Sequence, residues 1–296
     1  MKEPLVCVIL VNYNGYEDTV ECIKSLKDIS YSNYKIIVVD NGSTKEPDKE
    51  QLNYIKQNSE YLVSKENLGF SGGNNLGMRY ARKFNPKYFM LLNNDTVVKK
   101  DFMGYLVSTA EEKSDAGIVT GKIYYFDPPR HIWYAGGAFD KKTCMVSHLR
   151  WDEEDHDFEN YVKEITFATG CLWLLPVSVV DKIGEMDESL FLYSEDTEYS
   201  CRVIQNGLKI YFCNASAIYH KVSRSTSLLS DLKQYYLIRN DLYIMEKYSS
   251  NNKYAKAIRV KDIVKRLLKK TYNIKIVYQA WYDYKNHNMG KNKKEG

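Results

Sequence analysis

Short runs of apolar residues alternate with stretches of helical periodicity through the first hundred residues of this 296-residue chain. Val6–Val11, Ile36–Val39 and Tyr88–Leu92 are continuous apolar runs, typical of strands buried on both faces. Tyr61–Val63 is a weaker run of the same kind. Alternation of such strands with helices predicts an α/β fold, in which a mostly parallel sheet is covered by helices on both faces.

The segments between these runs are predicted to be helices. Glu17–Lys27 has apolar residues at helical spacing, and a polar segment with Leu52 and Ile55 forms the next helix. A third helix is expected over Asn74–Phe84, and Asp101 is the expected N-cap of a fourth.

Each predicted strand ends in a cluster of polar, turn-forming residues. The clusters are Asn12–Gly15, Asp40–Ser43, Glu66–Gly69 and Asn93–Thr96. Any one of them is ordinary turn chemistry. Because ligands of parallel sheets bind outside the carboxyl ends of the strands, four clusters along one edge predict a binding site.

Two residues are candidate metal ligands. Asp95 follows a buried strand, and carboxylate oxygens suit Mg²⁺ or Mn²⁺. His220 is expected in a loop beyond the predicted strand Lys209–Cys213, where a neutral imidazole can supply a second ligand. The alternatives are a turn or helix cap for Asp95 and a structural role for His220.

Paired acids begin a helical stretch later in the chain. Asp196 is expected at a helix N-terminus, where a carboxylate can remove the proton of an attacking hydroxyl group. Glu195 and Glu198 are the rival bases, although Glu198 can instead pair with Arg202 one helical turn later.

The segment Gly69–Gly77 is rich in small residues and precedes the third predicted helix. Small residues let a backbone approach a ligand closely, and helix N-termini favour phosphate. The segment matches neither the dinucleotide-binding fingerprint nor the P-loop. Taken alone it is therefore a weak indication of phosphate binding.

The ordered set of these segments resembles the family 2 glycosyltransferases, and within them bacterial rhamnosyltransferases and related cell-surface polysaccharide transferases. The segments are VNYNG, VVDNGS, ENLGFSGGNNLG, LLNNDT, ATGCLWLLP and SEDTEYSCR, followed by a histidine. The resemblance covers roughly residues 5–245. It implies a GT-A fold, a Rossmann-like mixed sheet flanked by helices, over residues 1–228, with a basic helical extension over 229–296.

The resemblance also implies an activity. The expected reaction is inverting transfer of a hexose from dTDP-rhamnose or a UDP-sugar to a hydroxyl of a growing glycan, and such acceptors are often lipid-linked. A divalent metal, Mg²⁺ or Mn²⁺, is implied, with Asp95 and His220 as its ligands and Asp196 as the catalytic base.

Further roles come from the same resemblance. The donor-nucleotide positions are Asn12, Tyr13, Asn14, Asp40, Asn67, Gly72, Asn74, Asn93 and Asn94. The positions near the transferred sugar or the acceptor are Thr169, Gly170, Cys171 and Glu195. Two positions depart from the family pattern: Asn93 replaces the first acid of the D-x-D signature, and Asn74 stands where many relatives have Arg. The segment Tyr235–Asn240 also resembles a helical Y-x-x-R-N segment of this branch, with no assigned role.

The last part of the chain is basic. From Lys253 to Gly296 there are 13 Lys or Arg residues against three acids, although the whole chain carries a net charge of only +4. Residues 253–270 have apolar residues at helical spacing, and aromatic residues follow. A basic amphipathic helix of this kind can lie on an anionic membrane surface. The alternatives are a helix packed on the body and a contact between two copies of the chain.

Other patterns restrict the compartment and the class of function. Six cysteines without a C-x-x-C pair predict free thiols in a reducing compartment. No signal-peptide core or membrane-spanning run is visible, so we expect a cytoplasmic protein, peripheral on the inner face of the plasma membrane. No nucleic-acid-binding module appears. A dinucleotide-dependent oxidoreductase would need the dinucleotide-binding fingerprint, which the chain lacks.

Two alternatives share the predicted fold. A sugar nucleotidyltransferase would need a glycine-rich N-terminal loop with Arg and Lys for the triphosphate, which the chain lacks. A non-catalytic sugar-binding or scaffold protein need not keep Asp196 and His220, and both are present. The donor and acceptor are set by the shape of the pocket, for which Trp133, Trp151 and Trp173 are candidates.

Overall fold

A computed structural model of the chain describes residues 3–156, 159–222 and 231–292. Strands and helices alternate through its first part, in the order that the sequence predicts. The elements are β1 (Val6–Asn12), α1 (Tyr16–Lys27), β2 (Tyr34–Asp40), α2 (Lys49–Asn58), β3 (Glu60–Val63), α3 (Gly69–Ala81), a 3-10 turn (Arg82–Phe84) and β4 (Tyr88–Asn93). The predicted types are all confirmed, and most of the ends lie within two residues of those predicted.

Helix α3 is the exception, because it begins at Gly69 and not at Asn74. Gly69 has a φ of +72°, and a Cβ there would lie 2.1 Å from the carbonyl oxygen of Phe191. Gly77 allows α3 to lie close to the sheet, since a Cβ would meet the side chain of Ile9 at 2.5 Å. Glycine disfavours helix in isolation, but close packing on the sheet outweighs that preference here.

The second part of the chain is richer in strands. Its elements are β5 (Thr96–Val98), α4 (Phe102–Glu112), β6 (Ala116–Tyr125), β7 (Ile132–Tyr134), β8 (Gly137–Asp140), β9 (Met145–His148), β10 (Val162–Ile165), β11 (Leu172–Pro176), α5 (Val177–Ile183), α6 (Glu195–Gln205) and β12 (Lys209–His220). Strand β12 continues past the predicted end at Cys213. The expectation that His220 lies in a loop is therefore wrong, because it is the last residue of a strand.

Ten of the described strands form one mixed sheet, and β8 and β9 pair with each other in a separate two-stranded sheet. The order of the large sheet is β10-β12-β6-β11-β4-β1-β2-β3, with β5 added on β12 and β7 on β6. Strands β1 to β4 run parallel, as predicted, and β12 is parallel to β6. Strand β11 is antiparallel to both of its neighbours, β4 and β6. The expected mixed sheet flanked by helices is confirmed.

The structure places one polar and one aromatic side chain of the second part of the chain in the interior. Asp155 is 3% exposed, and its carboxylate lies 2.6 Å from Nζ of Lys122. Trp173 is fully buried in β11 and stacks on Tyr199, so it belongs to the core and lines no pocket. Trp151 is an exposed surface residue.

Three helices follow: α7 (Asp231–Tyr248), α8 (Asn252–Leu268) and α9 (Ile274–Lys285). They share an apolar cluster separate from the main core. Its buried members are Phe191, Tyr235, Tyr236, Ile238, Leu242, Ile263, Ala280 and Tyr284. Only Phe191 comes from outside these helices, so the cluster joins them to the segment before α6. The predicted boundary at residue 228 lies outside the described residues.

Two further features concern the helices and the cysteines. None of the helices in the described ranges combines the length and the apolar character needed to cross a bilayer. All six cysteines are free, and five of them are buried. The prediction of free thiols is confirmed.

Candidate active site

The register of the parallel strands brings their carboxyl ends to one edge of the sheet. Asn12 of β1 lies opposite Asp40 of β2, and Val11 lies opposite Asn93 of β4. The polar clusters that follow these strands are therefore neighbours. The expectation of one shared polar edge is met for these strands.

A carboxylate and an imidazole meet beside this edge. Strand β5 pairs with β12 so that Thr96 lies opposite His220, which brings the preceding residue, Asp95, alongside the histidine. Nε2 of His220 lies 3.1 Å from Oδ1 of Asp95, and each side chain is less than a tenth exposed. Burial favours the neutral ring, but Cys171 and Asp95 outweigh it and hold the pKa of His220 well above its usual value.

This pair fits a divalent cation. One carboxylate oxygen and one imidazole nitrogen converge, and a cation placed there would keep most of its coordination positions for other oxygen ligands. Mg²⁺ often takes only one or two protein carboxylates, with phosphate oxygens completing its shell. No group of three or more His, Cys, Asp or Glu side chains comes together as a closed metal site within the described ranges. The arrangement suits a metal shared with a diphosphate better than a structural metal.

Two consecutive residues connect this pair to the predicted base. The carbonyl oxygen of Cys171 accepts a hydrogen bond from the backbone N–H of Asn93, and its thiol lies against the ring of His220. The backbone N–H of Gly170 donates to Oδ2 of Asp196 at 3.4 Å. Two consecutive residues immediately before β11 therefore contact the candidate base on one side and the candidate metal ligand His220 on the other.

Asp196 lies in the first turn of α6, as predicted, and its other oxygen accepts from the N–H of Thr197 at 2.8 Å. Burial raises the pKa of Asp196 to about 6. Burial, and then the charge of Asp196, raise the pKa of Glu195 well above its usual value. Oε2 of Glu195 is buried without a hydrogen-bond partner among the described residues. Two acids of unequal proton affinity therefore lie side by side.

The third acid of this helix has a different role. Glu198 is 1% exposed and accepts hydrogen bonds from Arg202, Lys247 and Tyr248. The predicted pairing with Arg202 is confirmed, at 2.7 Å. Because its carboxylate is occupied by three donors, Glu198 is a structural acid and no longer a rival base.

Asp40, the predicted contact to the nucleobase, is also well satisfied within the protein. Its carboxylate accepts from the hydroxyls of Tyr16 (2.6 Å) and Tyr61 (2.7 Å) and from the N–H of Ser43 (3.0 Å). Burial alone would raise the pKa of Asp40, but these donors, with Tyr16 foremost, lower it. It is an anion held by tyrosines, and its role in reading a base stays a prediction.

The asparagines of the edge divide into two groups. Asn12 is fully buried, and its oxygen accepts from the N–H of Gly15, while the amide of Asn94 donates to Thr19. Asn14 likewise accepts from the backbone of residues 44 and 45. These side chains shape the loops. Tyr13 is 47% exposed, and Asn93 is partly exposed.

The predicted positions around α3 are mostly buried. Asn74 is 2% exposed, and its amide donates to the carbonyl of Phe70 within the helix. A Cβ at Gly72 would lie 2.7 Å from Cβ of Leu68. The oxygen of Asn67 accepts from the N–H of Gly69. These contacts set the start of α3, and donor binding through these positions stays a prediction.

Sequence reasoning gave too little weight to three residues near the site. The ring of Trp133, only a candidate before, lies 4.7 Å from that of His220 in an edge-on arrangement. Tyr134 is buried beside Asp196, whose charge helps to raise the pKa of the tyrosine. Asn240, in the segment without an assigned role, donates to the loop before α6. The pairs Trp133-Tyr134 and Arg239-Asn240 are visible in the sequence. Because they lie far along the chain from the other site residues, their role could not be inferred from it.

Known proteins are similar to this chain in sequence. The sequence profile of the family described as Glycosyl transferase family 2 matches residues 7–184. The low-salt glycan biosynthesis hexosyltransferase Agl10 of Haloferax volcanii is 26% identical over 260 residues, which cover 85% of this chain and 77% of that protein. The dTDP-rhamnosyl transferase RfbF of Shigella flexneri is 19% identical, with 82% and 80% covered.

A solved structure shows the same fold. GalNAc-T7, crystallised with UDP, GalNAc and Mn²⁺, aligns with a TM-score of 0.62 at 16% identity over 96% of this chain. The chain spans 58% of the length of that protein. The expectation of a GT-A architecture is confirmed.

Proposed function

The chain belongs to glycosyl transferase family 2, and we propose that it transfers a hexose from dTDP-rhamnose or a UDP-sugar to a hydroxyl group of a growing, lipid-linked cell-surface glycan. The observation that carries this proposal is that two consecutive residues contact the two candidate groups. Gly170 contacts Asp196, and Cys171 contacts His220. A base and a candidate metal pair so close together fit a reaction in which a hydroxyl attacks as a diphosphate leaves.

The donor would lie along the polar edge of the sheet. Tyr13 is exposed there and Asn93 is partly exposed, so both are suited to contact the nucleoside. Asp95 and His220 would hold Mg²⁺ or Mn²⁺, which would supply positive charge to the diphosphate leaving group. GalNAc-T7 was solved with UDP and Mn²⁺, which supports a divalent metal on this fold.

Asp196 would act as the general base. It accepts the proton of the acceptor hydroxyl while the oxygen forms a bond to the anomeric carbon, and the bond from that carbon to the diphosphate oxygen breaks. Attack from the face opposite the leaving group inverts the anomeric centre in one step. A carboxylate with a pKa of about 6 is ionised at neutral pH, yet is a better proton acceptor than an ordinary aspartate. Burial, and then the charge of Asp196, raise the pKa of Glu195, and in its protonated form Glu195 can donate a hydrogen bond to a sugar oxygen.

The proposal of a lipid-linked acceptor is supported by an exposed face of α8 and α9, here called the apolar–basic face. Val260, Val264 and Leu268 recur at four-residue spacing along one side of α8, and all three are exposed, Leu268 at 80%. A groove of about 530 Å³ joins the end of α8 to the start of α9, and both Leu268 and Ile274 line it. The apolar side chains therefore form one continuous surface.

The aromatic part of the apolar–basic face lies on α9. Tyr278, Trp281 and Tyr282 are all exposed, and the ring of Tyr278 lies 6.2 Å from that of Trp281. Residues 252–285 contain ten Lys or Arg and only two acids. Exposed aromatics among lysines suit the headgroup region of an anionic bilayer. We infer that this face holds the enzyme at the inner leaflet, near a lipid-linked acceptor.

The donor is tested first by thermal shift. The protein is heated with UDP, dTDP, GDP or CDP, each with and without Mn²⁺ or Mg²⁺, because a ligand that binds only the folded state raises the melting temperature. Metal-dependent stabilisation by dTDP supports a rhamnose-type donor, and by UDP a UDP-sugar. If no nucleotide stabilises the protein, the non-catalytic alternative replaces the proposal.

A further inference from the structure

The two residues before helix α6 both have left-handed backbone conformations. Tyr193 has a φ of +65° and Ser194 a φ of +67°. Residues that carry a side chain disfavour this region, and two in succession need support from their surroundings. Asp196 follows only two residues later, so the direction of its carboxylate depends on this turn.

The side chain of Asn240 in α7 supplies that support. Its amide nitrogen donates to the carbonyl oxygens of Leu192 and Tyr193, both at 2.8 Å. Asn240 is fully buried, and its own oxygen accepts from Nε of Arg239 at 3.0 Å. Every polar atom of the amide group therefore has a partner, and the two donated bonds end on the left-handed turn.

The neighbouring residue of α7 extends the same contact. Oγ of Ser194 donates to Oδ1 of Asp241 at 3.2 Å, and Asp241 forms a 2.7 Å ion pair with Arg259 of α8. Further along α7, Lys247 and Tyr248 donate to Glu198, two residues beyond Asp196 in the other direction. Helix α7 therefore holds the chain on both sides of the candidate base.

The residues of α7 next to Asn240 are also held in place by their own contacts. Arg239 is fully buried, and its Nη1 donates to the carbonyl oxygen of Gly290 at 2.8 Å. The ring of Phe191 packs 5.4 Å from that of Tyr236 in the second apolar cluster. These contacts leave the amide of Asn240 little freedom to follow a displaced turn.

We propose that Asn240 is a positioning residue for Asp196, acting through the left-handed turn at Tyr193 and Ser194. The proposal rests on the role of Asp196 as the base. Without the two hydrogen bonds the turn relaxes, and the carboxylate moves away from the acceptor hydroxyl. A displacement of about 1 Å in a reacting group can lower a rate by about a hundredfold. Donor and metal binding should be spared, because Asp95, His220 and the donor positions that follow β1, β2 and β4 lie at the sheet edge and not on this turn.

The test compares Asn240→Ala with Asn214→Ala. Asn214 is a matched control because it is also buried, its amide also donates to a backbone carbonyl, that of Glu159, and it contacts none of the proposed site residues. We expect Asn240→Ala to lower kcat by roughly ten- to a hundredfold. KM for the donor and the affinity for Mn²⁺ should stay within about twofold, and Asn214→Ala should keep its kcat.

Two further variants make the result decisive. If Asn240→Ala does not fold, Ser194→Ala removes only the hydrogen bond to Asp241 and should lower kcat by a smaller factor, again with unchanged KM. A kcat within threefold of wild type in the folded variant, or an equal loss in Asn214→Ala, would overturn the proposal. Activity retained by Asp196→Asn would instead remove the proposed base, a failure that is distinguishable because it does not depend on Asn240.

Discussion

Nε2 of His220 lies 3.1 Å from Oδ1 of Asp95, although 125 residues separate the two in sequence. The short strand β5 creates this proximity, because its pairing with β12 places Thr96 opposite His220. Each of the two side chains is nearly buried, and Cys171 and Asp95 favour the charged state of His220 against the effect of burial. A proton on His220 and a divalent cation would therefore compete for the same position.

This competition predicts that metal binding releases a proton. The pKa of His220 is raised, so the free protein holds the ring protonated up to a higher pH than an ordinary histidine, and a metal must displace that proton. We expect Mn²⁺ affinity to rise with pH until the ring is neutral. Calorimetry of Mn²⁺ with UDP or dTDP in buffers of different ionisation enthalpy should detect about one proton released. His220→Ala should abolish the release and weaken metal-dependent nucleotide binding by roughly a hundredfold. Equal release in the variant would contradict the assignment.

Replacing the base should separate binding from chemistry. In Asp196→Asn we expect kcat to fall by about a hundredfold or more, with metal-dependent nucleotide binding retained. In the wild type, activity should fall as the pH drops below about 6, because the carboxylate must be ionised to accept a proton. The pH profile of kcat/KM measures this directly. An acid limb near pH 4 would show that the base is an unperturbed carboxylate.

The same substitution should stabilise the fold. The pKa of Asp196 is higher in the folded protein than its usual value, so the folded state binds more protons and its stability falls as the pH rises from about 4 to 6. Asp196→Asn removes this cost at neutral pH. We expect a melting temperature higher by a few degrees at pH 7.5, with a smaller gain at pH 4. A melting temperature lower than wild type at pH 7.5 would contradict this prediction.

Glu198 should behave in the opposite way. Its buried carboxylate joins Arg202 and Lys247, and removing one partner of a buried ion pair costs about 3–5 kcal/mol. Glu198→Ala should lower the free energy of unfolding by roughly that amount, measured by urea denaturation. The acid limb of the pH–rate profile should not move in the folded fraction. A shifted limb would return Glu198 to the candidate bases.

Membrane binding should depend on the apolar–basic face. Co-sedimentation with vesicles containing anionic lipid should recover the wild type, and neutral vesicles should recover much less. Leu268→Asp should reduce binding at least several-fold, whereas Met145→Asp, on an exposed residue of β9, should not. Light scattering of the free protein provides the control for self-association. A stable dimer that Leu268→Asp dissociates would show that the face joins two copies instead.

The parts of the molecule that depend on local pattern could be predicted from the sequence. Val6–Val11 and Ile36–Val39 are buried strands because continuous apolar runs have few other solutions, and their polar ends meet because parallel strands end together. The start of α3 at Gly69 could not be predicted in this way. Its glycines disfavour helix, and the close approach of Gly69 to Phe191 and of Gly77 to Ile9 joins residues distant in sequence.

The same distinction between local patterns and contacts distant in sequence applies to the site residues. Asp196 at a helix start and the pairing of Glu198 with Arg202 are local relationships, and both were visible. The contacts of Asp40 with two tyrosines, of Asn12 with Asn94, and of Ser194 with Asp241 join residues 21 to 82 positions apart. No periodicity records such contacts, so burial of these polar groups became apparent only with the fold.

The second apolar cluster has a consequence for the order of events during synthesis. Phe191 and the turn before α6 are completed by α7 and α9, and Arg239 is fixed by the carbonyl of Gly290, made 94 residues after Asp196. At about 5–20 residues per second, a ribosome needs roughly 5–20 s to make that stretch. A nascent chain therefore carries the proposed donor edge before the proposed base is held in place. On this proposal, sugar transfer cannot begin until the stretch up to Gly290 has been made.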